Sequence, residues 1–176
     1  YAQVYGNAKV NGMAQVYDNA QVYGNARIIN NAKVYGFSVV FMNARISDNV
    51  QVYGNASVRG EAQLCFEAKV YDNVEIYDHA YISRNAQVSG NANISENAQV
   101  SGNAEIYDYA VISGNSQVYN RSIVFGNAII FDNAKVSCDA KVYGDARVRE
   151  QAEIYGDAKV YGNTQIIGKT EICGNA

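Results

Sequence analysis

The single histidine of the chain, His79, is the residue best suited to acid–base chemistry. Glu61 lies eighteen residues before it and Asn97 eighteen residues after it. A carboxylate beside an imidazole can orient the ring and favour its protonated form. Glu61 and His79 are therefore the candidate catalytic pair, provided that the fold brings positions eighteen residues apart into contact. The alternative is a solvated pair of little energetic consequence.

Composition argues against several classes of function. The 176 residues include 14 Lys and Arg against 17 Asp and Glu, which gives a net charge of −3. The basic residues are spread along the whole chain, whereas a nucleic-acid surface needs them clustered, so no nucleic-acid partner is predicted. No apolar run approaches the roughly 18 residues of a membrane span.

The elements that position these residues follow from a strict period of six. Every sixth residue from Val4 to Ile172 is Val, Ile or Leu, and the residue two places earlier is small, usually Ala. A helix repeats every 3.6 residues and would distribute these apolar positions over two of its faces. Three six-residue units could instead close into a triangular coil of 18 residues. Such a coil would bury both the aliphatic and the small residues along one axis. Successive coils would then stack at about 4.8 Å through parallel hydrogen bonds.

The corners of the coil are marked by glycine. All 15 glycines lie two residues after an aliphatic position, and the next residue is usually Asn or Asp. Because Gly and Asn both tolerate the left-handed backbone region, each Gly-Asn pair predicts a tight corner between short strands. Val, Ile and Tyr at the remaining positions favour strands.

The pattern aliphatic-x-x-x-small-x resembles the hexapeptide-repeat superfamily over the whole chain. This resemblance implies an all-β fold, a left-handed parallel β-helix with three sides, about ten coils and no loop insertions. The left hand is implied by the family alone, since crossovers are usually right-handed. The Y-G-N-A form of the repeat, as in 23–26, looks most like repeat solenoids of bacteria and phages. Residues 1–176 are expected to form a single solenoid domain and to be a segment of a longer chain, because the pattern is interrupted at both ends.

The resemblance also implies a possible activity, because many hexapeptide-repeat proteins are trimeric acyltransferases. These enzymes use a histidine base in a cleft between subunits, and their cofactor sites usually need loop insertions or a terminal helix. This chain has His79 but no insertion, so a transferase-like enzyme is an alternative interpretation. One histidine excludes the three-histidine metal centre of the related γ-class carbonic anhydrases. No cofactor and no metal site are predicted.

Residues eighteen apart should form columns on the outside of the coil. The column through position 17 is aromatic at eight of its nine positions, with Ser89 as the exception. Its aromatic members are Tyr17, Tyr35, Tyr53, Tyr71, Tyr107, Phe125, Tyr143 and Tyr161. The column through position 5 is mixed, and the column through position 11 is mostly small. The aromatic column is interpreted as intrinsic stabilisation by stacking, as an interface between chains, or as a platform for glycans.

Two further groups of apolar side chains are predicted to point outward. The first comprises Ile123, Phe125, Ile129 and Phe131, with Val111 beside them, and the second comprises Phe37, Val39, Phe41 and Met42. Outward aliphatic residues on a soluble rod favour contact with another subunit or protein.

The main functional hypothesis is a non-enzymatic rod or spacer that self-associates or binds another protein through the aromatic column. Polysaccharide binding along that column is a second alternative, after the acyltransferase. Cys65 and Cys173 would lie six coils apart and Cys138 at a corner, too distant to form a disulfide. Unpaired thiols favour a reduced compartment such as the cytoplasm.

Overall fold

The fold consists of three parallel sheets wrapped around one axis. The computed structural model describes residues 1–174, which contain 29 short strands. Ten strands form face A: Gln3–Val4, Gln21–Val22, Val39–Val40, Ser57–Val58, Glu75–Ile76, Asn93–Ile94, Val111–Ile112, Ile129–Ile130, Arg147–Val148 and Gln165–Ile166. Ten form face B: Lys9–Val10, Arg27–Ile28, Arg45–Ile46, Gln63–Leu64, Tyr81–Ile82, Gln99–Val100, Gln117–Val118, Lys135–Val136, Glu153–Gly156 and Glu171–Gly174. Nine form face C: Gln15–Val16, Lys33–Val34, Gln51–Val52, Lys69–Val70, Gln87–Val88, Glu105–Ile106, Ile123–Val124, Lys141–Val142 and Lys159–Val160.

The strand register confirms the coil of 18 residues. Gln3 pairs with Gln21 on face A, Lys9 with Arg27 on face B, and Gln15 with Lys33 on face C. The chain passes from face A to face B to face C and returns to face A one rung further along. The solenoid is a left-handed parallel β-helix of about ten coils, as predicted, and no insertion interrupts it between residues 1 and 174.

The core is a column of aliphatic residues lined by alanines. From Ala20 to Ile154 the second residue of each strand, always Val, Ile or Leu, is fully buried, as are the alanines of the corners. In the first coil Val4 is 47% exposed, since only one neighbouring coil covers it. Three serines replace alanine in this core, and the hydroxyls of Ser38, Ser116 and Ser122 each donate to the carbonyl three residues earlier, at 2.7–2.9 Å. A buried hydroxyl is tolerated there because it is hydrogen-bonded.

The corner residue in the left-handed region is always the first of the Gly-Asn pair. Every residue two places after an aliphatic position, from Gly6 to Gly168, has φ between 57° and 81°. Half of these positions hold residues other than glycine, among them Asp18, Met42 and Phe66. The second residue of the pair has no positive φ in the described chain, so the prediction that Asn serves the left-handed backbone was wrong for that position.

Asparagine is favoured at the second position because its amides form ladders between coils. Asn7 Nδ2 donates to Asn25 Oδ1 and Asn25 Nδ2 to Asn43 Oδ1, at 3.3 and 3.1 Å. Similar amide bonds of 2.9–3.2 Å recur further along this corner and on the other two corners. An amide carries both a donor and an acceptor, so identical residues one coil apart can bond to each other in a continuous row.

Aspartate at the first corner position bonds to the next coil in a different way. Asp48 accepts from the backbone N–H of Phe66 at 3.0 Å and from Asn30 Nδ2 at 2.8 Å. The hydrogen bond from the Phe66 backbone is the largest of the effects that hold the pKa of Asp48 below its ordinary value, because it favours the ionised carboxylate. The carboxylate therefore helps to join neighbouring coils at neutral pH.

Candidate functional site: an aromatic column along face C

The aromatic column lies at the edge of face C, one residue after each buried aliphatic. Its rings stack face to face in two blocks of four, with centroids 4.8–5.4 Å apart and planes within 4–15° of parallel. The first block runs from Tyr17 to Tyr71 and the second from Tyr107 to Tyr161, and Ser89 lies between them. The ring spacing matches the coil spacing, because each coil places its aromatic residue directly above the previous one.

Stacking leaves ring edges, rather than ring faces, open to solvent. The outermost rings Tyr17 and Tyr161 are 38% and 58% exposed, whereas the inner rings are half-buried. Burial is the main cause that raises the pKa of Tyr35 and Tyr53, so their phenols stay protonated near neutral pH. The Tyr35 hydroxyl lies 3.4 Å from Gln51 Oε1, which shows that the ring folds back over face C. The column thus presents phenol hydroxyls and carbon edges in a regular row.

A shorter stack occupies the mixed column at the edge of face A. Tyr5, Tyr23 and Phe41 stack with centroid distances of 4.9 and 5.0 Å. Further along the same edge, the Arg59 guanidinium lies 4.4 Å from the centroid of the Tyr77 ring, within the range of a cation–π contact.

The predicted apolar patches are only partly exposed. In the second group Phe37 is 64% and Met42 52% exposed, but Val39 and Phe41 are half-buried. The first group is half-buried throughout, with Ile123 and Phe125 on the face C side and Ile129, Phe131 and Val111 on the face A side. These side chains shield one another, since Val111 pairs with Ile129 and Phe125 stacks between two tyrosines.

Three exposed apolar residues were missed by the sequence reasoning. Met13 is 76%, Tyr109 62% and Phe66 55% exposed. Each of them occupies a corner position that most often holds Asn, Asp or Gly. That substitution was the available signal, because the side chains at these corner positions lie outside the core. Tyr109 shares the corner between faces C and A with Phe37, so both extend the apolar surface beside the aromatic column.

The candidate catalytic pair is in contact but open to solvent. His79 Nε2 lies 3.4 Å from Glu61 Oε2, and the two side chains are 64% and 60% exposed. They lie on the corner between faces A and B, and the next residue of that corner, Asn97, donates to Asn115. A shallow groove on face B reaches Glu61 and is lined by Arg27, Arg45 and Gln63, among others. The pair can bind or exchange a proton, but its surroundings do not exclude water.

Of the three cysteines, Cys65 is a poor nucleophile in this arrangement. All three are free, as the coil positions predicted. Cys65 Sγ lies 3.0 Å from the Tyr81 hydroxyl, and burial is the main cause that raises the pKa of the Cys65 thiol. The reactive form of cysteine is the thiolate, so this environment works against nucleophilic chemistry at neutral pH.

The described part of the chain holds no cluster of three or more His, Cys, Asp or Glu side chains arranged to bind a metal ion. Across residues 1–174 there is also no helix long and apolar enough to cross a membrane.

Comparisons with known proteins agree with this architecture. The family model of the YdcK β-solenoid repeat matches residues 2–18, 20–36, 86–102 and 98–114. The UDP-N-acetylglucosamine acyltransferase from Campylobacter jejuni is similar in structure, with a TM-score of 0.54 and 17% identity over 78% of this chain and 68% of that one. The UDP-N-acetylglucosamine O-acyltransferase (LpxA) from Moraxella catarrhalis RH4 gives a TM-score of 0.56 and 15% identity over 91% of this chain and 71% of that one. No curated protein matches the chain by sequence. The chain is therefore a β-solenoid repeat protein with a left-handed parallel β-helix fold.

Proposed function

We propose that this chain is a rigid structural solenoid that self-associates, or binds another protein, through the aromatic column of face C. The observation that supports this proposal is the pair of four-ring stacks, which present a nearly continuous aromatic edge. Nine rungs at the coil spacing make this strip about 40 Å long. Tyr is enriched at protein interfaces because it offers a large contact area together with a hydroxyl. The exposed Phe37 and Tyr109 widen the surface at the neighbouring corner.

The first test replaces Tyr35, Tyr53 and Tyr71 together by serine. Serine fits this column, since Ser89 occupies it in the natural sequence. We expect self-association, measured by size-exclusion chromatography with light scattering, to weaken by about tenfold or more, because Tyr residues often dominate interface energetics.

A matched control replaces Tyr5, Tyr23 and Phe41 by serine. This variant removes the stack at the edge of face A and leaves face C intact. Thermal unfolding of both variants measures the loss of stacking, about 0.2–1 kcal/mol for each contact. Unchanged assembly of the face C variant, or an equal loss in both variants, would count against the aromatic column as the interface.

Acyl transfer is the second candidate function, and the contact between Glu61 and His79 favours it. In such a reaction the imidazole would remove the proton of an acceptor hydroxyl, and Glu61 would stabilise the imidazolium that forms. The two structurally similar enzymes are named as acyltransferases acting on UDP-N-acetylglucosamine. Because the pair is more than half exposed, a second subunit would have to cover it for efficient catalysis.

The test of this candidate is the release of thiol from an acyl thioester with UDP-N-acetylglucosamine as acceptor. We expect His79→Ala to lower any such activity by about 10²–10⁴-fold, the usual contribution of a general base. Asn97→Ala is the matched control, because it changes the next residue of the same corner and leaves the pair in place. Activity that survives in His79→Ala would exclude the imidazole as the base.

The stacking geometry does not favour the aromatic column as a glycan platform. Sugars contact aromatic residues through the flat ring faces, and here each inner ring is covered on both faces by its neighbours. Only the ends of each block present an open face.

A further inference from the structure

Face B carries a row of three cations at its amino-terminal end. Lys9, Arg27 and Arg45 occupy the same outward position in three successive strands and pair directly with one another in the register of the sheet. All three side chains are exposed. In the described residues none of them has a carboxylate within salt-bridge distance.

This row is unfavourable for the stability of the isolated chain. Like charges directly opposite each other in neighbouring strands repel. Elsewhere on the same face the chain neutralises such a charge, since Lys135 Nζ lies 2.8 Å from Glu153 Oε1 of the next strand. Gln63, Gln99 and Gln117 show that an uncharged residue also fits this position. Three unneutralised cations in one column therefore suggest an anionic ligand.

Polar amides flank this row on the side of the corner between faces A and B. Asn7, Asn25 and Asn43 form a hydrogen-bonded ladder there, one residue from each coil. Together with Arg27 and Arg45 these asparagines line a shallow groove that continues to Glu61 and Gln63. Asn25 uses one donor and one acceptor within the ladder, whereas Asn7 only donates and Asn43 only accepts. All three amides therefore keep further hydrogen-bonding capacity.

Two carboxylates near the row, Glu61 and Asp48, are bonded to other groups. Glu61 lies 3.4 Å from His79 at the far end of the groove. Asp48, on the opposite corner, accepts hydrogen bonds from Asn30, Ser47 and the backbone of Phe66. Both carboxylates thus have partners of their own, and the guanidinium groups of Arg27 and Arg45 stay available.

We propose that the groove formed by Lys9, Arg27, Arg45 and the asparagine ladder of Asn7, Asn25 and Asn43 binds a linear acidic polysaccharide. Guanidinium groups bind carboxylate or sulfate oxygens through paired hydrogen bonds, and amides bind hydroxyl groups. A chain of acidic sugars offers both kinds of group at regular intervals. The site lies on face B and is independent of the aromatic column and of the proposed self-association.

A nucleic acid fits this surface less well. Nucleic-acid surfaces carry many clustered Lys and Arg residues, whereas this row has three cations. Proteins that bind single strands also stack bases on aromatic side chains. The residues that follow the three cationic strands are Asn11, Ile29 and Ser47, which provide no such platform. The net charge of −3 further disfavours polyanion binding away from the row.

The test is a binding titration with polygalacturonate near physiological ionic strength. Fully methyl-esterified polygalacturonate keeps the sugar backbone without its charge, and an oligothymidylate offers phosphates in place of carboxylates. We expect the natural chain to bind polygalacturonate at least about tenfold more tightly than either, because only this polymer provides both hydroxyls and carboxylates.

Two triple variants with the same change of charge locate the site. K9Q/R27Q/R45Q removes the row on face B, and K33Q/K69Q/K141Q removes three exposed lysines from face C, where Gln15, Gln51 and Gln87 already occupy the same column. We expect the face B variant to bind polygalacturonate at least about tenfold more weakly and the face C variant to bind within about twofold of the natural chain. Thermal unfolding should show no loss of stability in the face B variant, because the substitution removes repulsion. Arg27→Gln alone serves as a milder variant.

Several results would overturn the proposal. These are no binding of polygalacturonate by the natural chain, equal weakening in both triple variants, equal binding of the methyl ester, and tighter binding of the oligothymidylate. A face B variant that alters self-association but not polygalacturonate binding would also overturn it, since the row would then contact a second copy of the chain.

Discussion

Replacing Ile106 by alanine is expected to lower the free energy of unfolding by about 3–5 kcal/mol. Ile106 is fully buried in the middle of the solenoid. Its strand on face C pairs with those of Val88 and Val124 in the coils on either side. Backbone hydrogen bonds fix the spacing between these coils. Ser89 N donates to Ile106 O at 2.9 Å, and Tyr107 N donates to Val124 O at 3.1 Å. The cavity therefore cannot close, and the cost should fall in the upper part of the range for such substitutions.

Ile172→Ala is the matched control for this prediction. The same atoms are removed, but Ile172 belongs to the last described coil and is half-buried. We expect it to cost about 1 kcal/mol, since less apolar surface is lost and no closed cavity forms. Urea unfolding followed by circular dichroism gives both values. Equal losses for the two variants would contradict the rigid stacking of coils on which the prediction depends.

Replacing Gly114 by alanine is expected to be nearly as damaging. Gly114 has φ +70°, and a Cβ added there would lie 2.6 Å from the backbone N and O of Asp132 in the next coil. A left-handed alanine costs about 1–2 kcal/mol by itself. The contact with Asp132 is with backbone, so relief requires a movement of the coil, and overpacking of this kind adds about 1–3 kcal/mol.

Gly162→Ala separates the two contributions. Gly162 has φ +66°, but an added Cβ would meet nothing within 4 Å. Its substitution should therefore lower the free energy of unfolding only by the cost of a left-handed alanine, about 1–2 kcal/mol. The difference between the two alanine variants, measured by urea unfolding, reports the steric contact alone. A Gly162 variant that is destabilised as strongly as the Gly114 variant would show that backbone conformation accounts for the whole effect.

Much of the fold could be predicted because the period of six is a direct consequence of how the chain packs. Aliphatic residues such as Val22 and small residues such as Ala20 must recur at fixed intervals when every coil buries the same positions. The contact between Glu61 and His79 follows from the same regularity, since residues eighteen apart are neighbours in any coil of this length. Both inferences need only the spacing of residues along the chain.

Other features depend on the distance between coils and were harder to predict from the sequence. The ladder of Asn7, Asn25 and Asn43 forms because amides one coil apart are within hydrogen-bonding distance, although turn preference alone would also select Asn. The half-burial of Ile123 and Phe131 likewise arises from the side chains that surround them in three dimensions. The spacing of Lys9, Arg27 and Arg45 was present in the sequence, but its meaning depended on knowing which acidic residues lie nearby.

The two periods of the chain have different consequences for how such a protein can change in length. An insertion of six residues would keep every later valine and alanine inside, because each inward position recurs after one side of the triangle. It would also rotate all later side chains onto the next side, so that a tyrosine row on face C would continue on face A. An insertion of eighteen residues would lengthen the molecule by one full turn and leave each surface row aligned. Packing therefore tolerates changes in steps of six, whereas a binding surface that extends along the molecule tolerates only steps of eighteen.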